Sequence, residues 1–96
     1  MSIQIGGRNF EHATYDEEGD VLYLSNGEPR AAASTYGTPE GHAVRFDDRG
    51  NLIGMTIVNA RWLSSRGEEI VITVSQGQIE APARDLATAL ERSLSK

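Results

Sequence analysis

Four glycine-bearing turn signals divide the chain into short segments: Asp16-Glu17-Glu18-Gly19-Asp20, Asn26-Gly27, Asp48-Arg49-Gly50-Asn51 and Gln76-Gly77. Each places a glycine where a tight reversal calls for positive φ, and reversals at this spacing join antiparallel neighbours. The segments between them are read as strands: Phe10 to Tyr15, Val21 to Ser25, Arg30 to Tyr36, His42 to Asp47, Leu52 to Ala60 and Glu69 to Ser75. The expected fold is α+β, an antiparallel β-meander of about six strands over residues 10–75 with one C-terminal helix over 82–95 packed on a sheet face. A single domain over 1–96 is expected, because no Pro/Gly/Ser-rich linker or shift in composition separates two parts.

Alternation shows which strands are covered. Val44 and Phe46 face one way while Ala43, Arg45 and Asp47 face the other, as in a half-solvated antiparallel strand. Leu52 to Ala60 departs from that pattern, with Ile53, Met55 and Ile57 on one face and Leu52, Val58 and Ala60 on the other. Val21-Leu22-Tyr23-Leu24 and Ile70-Val71-Ile72 are also apolar at successive positions, which predicts central strands whose second face needs a cover. Arg30 to Tyr36 carries the weakest strand signal, because Ala31-Ala32-Ala33 favours helix while Pro29 and Gly37 leave too little length for one.

The helix starts at Pro82 and carries Ala83, Leu86, Ala87, Leu90 and Leu94 at three- and four-residue spacing. Asp85 near its start and Arg92 and Lys96 near its end suit the helix dipole. Fourteen or so residues reach only about 21 Å, too short to shield both faces of six strands. Either the sheet curls upon itself or a second chain packs against it. Trp62 and Leu63, just past the longest strand, are expected to close the end of the core, and Gly6-Gly7 is read as a flexible lead-in.

Composition removes several function classes. The chain has no cysteine, hence no disulfide, thiolate metal site or cysteine nucleophile. A net charge of -5 opposes tracking of nucleic-acid phosphates, which relies on clustered Lys and Arg. Met1 to Phe10 has no apolar signal-peptide core, and no segment approaches the ~20 apolar residues of a membrane span, so neither nucleic acid nor membrane is expected as a partner and the cytoplasm is the expected compartment.

The run Tyr15-Asp16-Glu17-Glu18-Gly19-Asp20-Val21-Leu22-Tyr23-Leu24, followed by Val44-Arg45-Phe46-Asp47-Asp48-Arg49-Gly50-Asn51-Leu52-Ile53-Gly54-Met55-Thr56-Ile57, resembles a family of small uncharacterised prokaryotic proteins. Their pattern joins a tyrosine–aspartate turn and a D-x-L-Y strand to a D-x-x-G-x-(L/V)-x-G-(I/M)-x-I hairpin. The likeness covers Tyr15 to Ala60. His42 and Arg45 stand where such proteins are more aliphatic, and the C-terminal strand and helix lie outside it. The resemblance implies fold, and it carries no catalytic residues. Some members look like partners of small toxin-like proteins, which implies an antitoxin-like role by analogy.

His12, Asp16, Asp20, His42 and Asp47 form the available histidine–carboxylate set. Were His12 and His42 to face one side of neighbouring strands, an added aspartate would complete a three-ligand metal or acid–base site. Their spacing matches no His-x-His or His-Glu-x-x-His pattern, so no metal, catalytic or cofactor residue is assigned and no cofactor is expected. Asp16 and Asp47 are read as capping the backbone amides of their own turns rather than as calcium ligands. Ser34, Ser64 and Ser65 lack a Gly-x-Ser-x-Gly elbow, and no glycine-rich phosphate cradle precedes a helix. The leading expectation is a non-enzymatic interaction module, a homo-oligomer or the partner of a small basic protein, with Trp62 as an anchor. The alternative is a small enzyme or ligand-binding domain built on His12 and His42.

Overall fold

The computed structural model describes residues 3–27, 34–75 and 77–95, with the side chains of Leu94 and Ser95 outside the description. In chain order the strands are β1 (Ile3–Ile5), β2 (Arg8–Phe10), β3 (His12–Asp16), β4 (Val21–Ser25), β5 (Ser34–Gly37), β6 (Ala43–Phe46) and β7 (Leu52–Val58). Helix α1 (Ala60–Arg66) precedes β8 (Ile70–Val74) and β9 (Gly77–Ala81), and helix α2 (Ala83–Arg92) leads into β10 (Leu94–Ser95). The α+β class holds.

The main sheet runs β10-β3-β4-β7-β6-β5, antiparallel except for β10, which lies parallel to β3. Sequential pairing thus occurs in two runs, β3-β4 and β5-β6-β7, which meet where β7 lies against β4. Register aligns Ala13, Leu24, Met55 and Val44 across four strands, and Tyr15, Leu22 and Ile57 in the next row. All seven are buried in the core. The other face carries Thr14, Tyr23, Thr56 and Ala43 in one row and Asp16, Val21 and Val58 in another, with Tyr23 and Val58 exposed.

The expected need for a second cover is corrected here. In β4 and β8 only alternate residues enter the core, Leu22 and Leu24, and Ile70 and Ile72. On β7, Leu52 packs on that same core because the β6–β7 register shifts at Arg45/Phe46. Ala60 has left the strand for α1 and is fully buried. Leu52 and Ala60 thus fold back onto the first face, while Tyr23 and Val58 stay exposed on the second. The cover comes from the chain itself, since β1–β2 contributes Ile3, Ile5 and Phe10, β8–β9 contributes Ile70, Ile72, Ile79 and Ala81, and α2 contributes Leu86 and Ala89.

Several boundaries move for local reasons. Gly6 (φ 57) and Gly7 (φ 81) form the tight β1–β2 reversal rather than a flexible lead-in, and the Gly6 N–H donates to Asp85 Oδ2 at 3.0 Å. The strand read from Phe10 to Tyr15 breaks at Glu11, whose N–H is drawn to Ser25 O (3.1 Å) and Asn26 Oδ1 (2.9 Å). In the Asp16–Asp20 turn the left-handed residue is Asp20 (φ 55), not Gly19. The second half of the Arg30 to Tyr36 strand is β5, while residues 30–33 and Gln76 lie outside the described residues. Asn59 (φ 60) ends β7 and turns the chain into α1, from which Leu63 packs against the core as expected while Trp62, 54% exposed, does not close it. Helix α2 stops at Arg92 instead of residue 95, and Ala89 rather than the exposed Ala87 faces inward.

Candidate functional site

The sequence-selected carboxylates divide into structural roles. Asp20 accepts hydrogen bonds from the Tyr15 hydroxyl (2.7 Å), the Arg61 N–H (2.7 Å) and the Trp62 N–H (3.2 Å), while its own carbonyl accepts the Ala60 N–H at 3.0 Å. The first amides of a helix have no intrahelical acceptor, and Asn59 supplies no side-chain cap to α1. Asp20, forty-one residues earlier in the chain than Arg61, caps the helix instead. Burial alone would raise the Asp20 pKa. The Arg61 N–H, the Tyr15 hydroxyl, the Trp62 N–H and the Arg61 charge outweigh it and hold the carboxyl below its ordinary range. Burial, with Asp20 second, pushes the Tyr15 hydroxyl up, and the Arg61 guanidinium lies 4.8 Å from the centre of the Tyr15 ring.

Asp47 caps its own turn as expected, its Oδ1 accepting the N–H groups of Arg49 and Asn51, both at 2.9 Å. Among the described residues no such bond to a backbone amide is found for Asp16, and Asp20 is the residue that organises that turn.

His12 and His42 do not meet. His12 opens β3 and His42 immediately precedes β6, strands that lie three spacings or about 14 Å apart across the sheet, and alternation puts the two residues on opposite faces. His12 is exposed, whereas His42 is buried with Nδ1 accepting the Val58 N–H at 3.1 Å. That bond continues the β6–β7 ladder past its last residue pair and requires a neutral imidazole. Burial lowers the His42 pKa, against the raising influence of Glu40. Among the described residues no three His, Asp or Glu side chains gather closely enough to hold a metal ion. Ser64 and Ser65 lie on α1, where the Ser65 hydroxyl donates to Trp62 O at 2.7 Å.

A different feature has the shape of a binding site. A groove runs between the β5–β6 hairpin and β8, floored by Val44 and Phe46 and walled by Tyr36 on one side and Val74 on the other. Two adjoining hollows share Phe46 with it, one lined by Ser34, Asp47 and Asp48 and the other by Leu52, Ile79 and Arg8. Phe46 is part of the core, and Tyr36, 57% exposed, sets its ring 6.0 Å from that of Phe46 between centroids. At one end Glu40, in the β5–β6 turn, accepts the Thr73 N–H at 2.9 Å and the Thr73 hydroxyl at 2.5 Å. These bonds from Thr73 hold the Glu40 carboxyl down at about 2, so it stays charged at neutral pH. This clasp ties β8 to the β5–β6 hairpin across the groove.

The sequence placed Val44 and Phe46 on one face but gave no sign of Tyr36, Glu40 or Val74 beside them. Tyr36 lay in the weakest strand, and Glu40 and Thr73 are thirty-three residues apart. Only folding joins them.

A model of the family described as "Protein of unknown function (DUF2283)" matches residues 12–61. The chain belongs to the DUF2283 family. No curated protein and no solved structure matches it. The matched DUF2283 segment begins with β3 and ends at Arg61, one of the two α1 amides that Asp20 caps. It therefore holds β5, β6 and the floor of the groove, while β8 comes from outside it. The membership carries no function with it.

Proposed function

We propose that this DUF2283 protein is a non-enzymatic protein–protein interaction module that receives a small basic protein in the β5–β6/β8 groove, a role of the antitoxin-like kind that the family resemblance implies. The observation that carries the reading is Tyr36, an aromatic ring more than half exposed at the mouth of an apolar groove whose floor, Phe46, belongs to the core. A large ring held in water beside core side chains is the kind of anchor around which interfaces concentrate their binding energy. The acidic balance of the chain, with Asp48 and Glu40 at opposite ends of the groove, favours a basic partner over an acidic one. The alternative of a site shared by His12 and His42 finds no support in their placement on opposite faces, and for a second copy the apolar surface on the far sheet face is Tyr23 and Val58.

Affinity capture from the native host with the wild-type protein and Tyr36→Glu tests this reading at low and moderate salt. One small basic protein, retained in near-equal amount, weakened by salt and lost with the variant, is expected. Retention unchanged by Tyr36→Glu, or capture of self-copies only, rejects the groove as the binding surface.

A further inference from the structure

We infer that the occupant adds a β-strand to the free edge of β5, as an extended segment with apolar residues at its centre and Lys or Arg toward its ends. The inference rests on the interaction-module reading and goes beyond it by stating how the partner is held. Among the described residues no strand pairs with the outer side of β5, which ends the main sheet. The two edges of that sheet are unlike. One is blunted by β10, two residues long and parallel, whereas β5 offers four residues with neither a charge nor a proline among Ser34, Thr35, Tyr36 and Gly37. Soluble proteins usually protect an edge with one of those devices, and a regular edge without them accepts another strand.

The parity of the ladder identifies the groups that would pair. The Thr38 N–H donates to His42 O, and counting back by twos from that pair makes Tyr36/Val44 and Ser34/Phe46 the hydrogen-bonded pairs of β5 and β6. The N–H and C=O groups of Thr35 and Gly37 consequently point away from β6, toward the open edge. Ser34 and Tyr36 direct their side chains to the groove face, by their pairing with Phe46 and Val44. A strand laid on this edge sends alternate side chains to the same face, beside Tyr36 and Val74. Asp48 lies near one end of β5 and Glu40 near the other, so carboxylates flank an apolar centre. Arg45, the cation of β6, lies over Gly54 on the opposite face, and Arg8 lies beyond Leu52 and Ile79 on the side of the groove away from Ser34. That arrangement selects basic ends and an apolar middle.

The test uses a short acetylated peptide with lysine at its ends and alternating valine and threonine between, titrated into the isotope-labelled protein and followed by amide NMR. Shifts are expected to centre on Thr35, Gly37 and Val74. The same peptide N-methylated at alternate amides, which keeps its charge and side chains but cannot pair with the edge, is expected to bind about tenfold more weakly. Thr35→Pro, which deletes an outward N–H without touching the β6 ladder, is expected to weaken the unmodified peptide similarly. The N-methylated peptide keeps the inference testable if that variant misfolds. Absence of binding, equal binding of both peptides, equal binding of a peptide with glutamate at its ends, or concentration-dependent shifts at Thr35 and Gly37 without peptide each overturn it. The last result would give the edge to a second copy. If Tyr36→Glu releases the captured host protein and Thr35→Pro does not, the interaction-module reading stands and the added strand fails.

Discussion

Asp20 satisfies three donors at once while sitting at φ 55, a conformation that Asp and Asn tolerate better than most side chains. Asp20→Ala removes both the acceptor and that tolerance, and urea unfolding is expected to show a loss of about 2 kcal/mol. Asp20→Asn keeps an oxygen and the backbone preference, so about half that loss is expected. His42 sets a different test. Its folded pKa lies below the ordinary 6.5, so the unfolded chain takes up the proton more readily. The stability it contributes is complete above about pH 6.5 and declines as pH falls through that value toward the lower folded pKa. Denaturation midpoints between pH 5 and 7.5 are expected to fall on acidification in the wild type. His42→Phe, which strands the Val58 N–H and lowers stability throughout, is expected to flatten that part of the profile. An equally steep profile in the variant would assign the titration to another group.

At the scale of elements, glycines that look alike in sequence separate sharply. A Cβ on Gly6 would meet Ile79 Cγ2 at 2.7 Å and Glu80 O at 2.8 Å, at φ 57. Gly6→Ala is therefore expected to cost about 2–4 kcal/mol, whereas Gly7→Ala, with open space around it and φ 81, costs about 1 kcal/mol. At Gly54 the three atoms nearest an added Cβ all belong to the flexible Arg45 guanidinium, and for Gly54→Ala less than about 1 kcal/mol is expected because that side chain can swing aside. Thermal or urea unfolding of the three variants gives the ranking, and a Gly7 loss equal to that of Gly6 would refute the packing argument. These differences mark how far the sequence could be read. Turn chemistry and alternation located β4, β6, β7, β8 and α2 because those signals act over a few residues. Strands β1 and β9 escaped notice because Ile3-Gln4-Ile5 and Gly77–Ala81 are short and take their place only by packing on the finished sheet. Helix α1 stayed hidden because its cap comes from Asp20, and no local signal at Asn59 announces it. The groove was illegible for the same reason, since Tyr36, Phe46 and Val74 belong to three elements.

Across the whole molecule, the Glu40–Thr73 clasp couples the β8–β9 hairpin to the edge hairpin of the main sheet. Its contribution is complete above the ordinary carboxyl value of 4.5 and is lost as pH falls toward about 2. Amide hydrogen exchange at Thr73 is expected to accelerate several-fold in Glu40→Gln at neutral pH, while exchange at Leu22 and Ile57 in the central strands is unchanged. Acceleration spread evenly over the chain would mean that the clasp supports global stability rather than the mouth of the groove. The junction at Asp20 has a wider consequence. What Asp20 asks of the chain after β7 is a pair of adjacent backbone amides and the entry to one helical turn, and amides are the same whatever side chains accompany them. The β3–β7 unit thus sets where the chain leaves the sheet, while the segments after Asn59 must still bring Ala60, Ile70, Ile72, Ile79, Leu86 and Ala89 onto its core face.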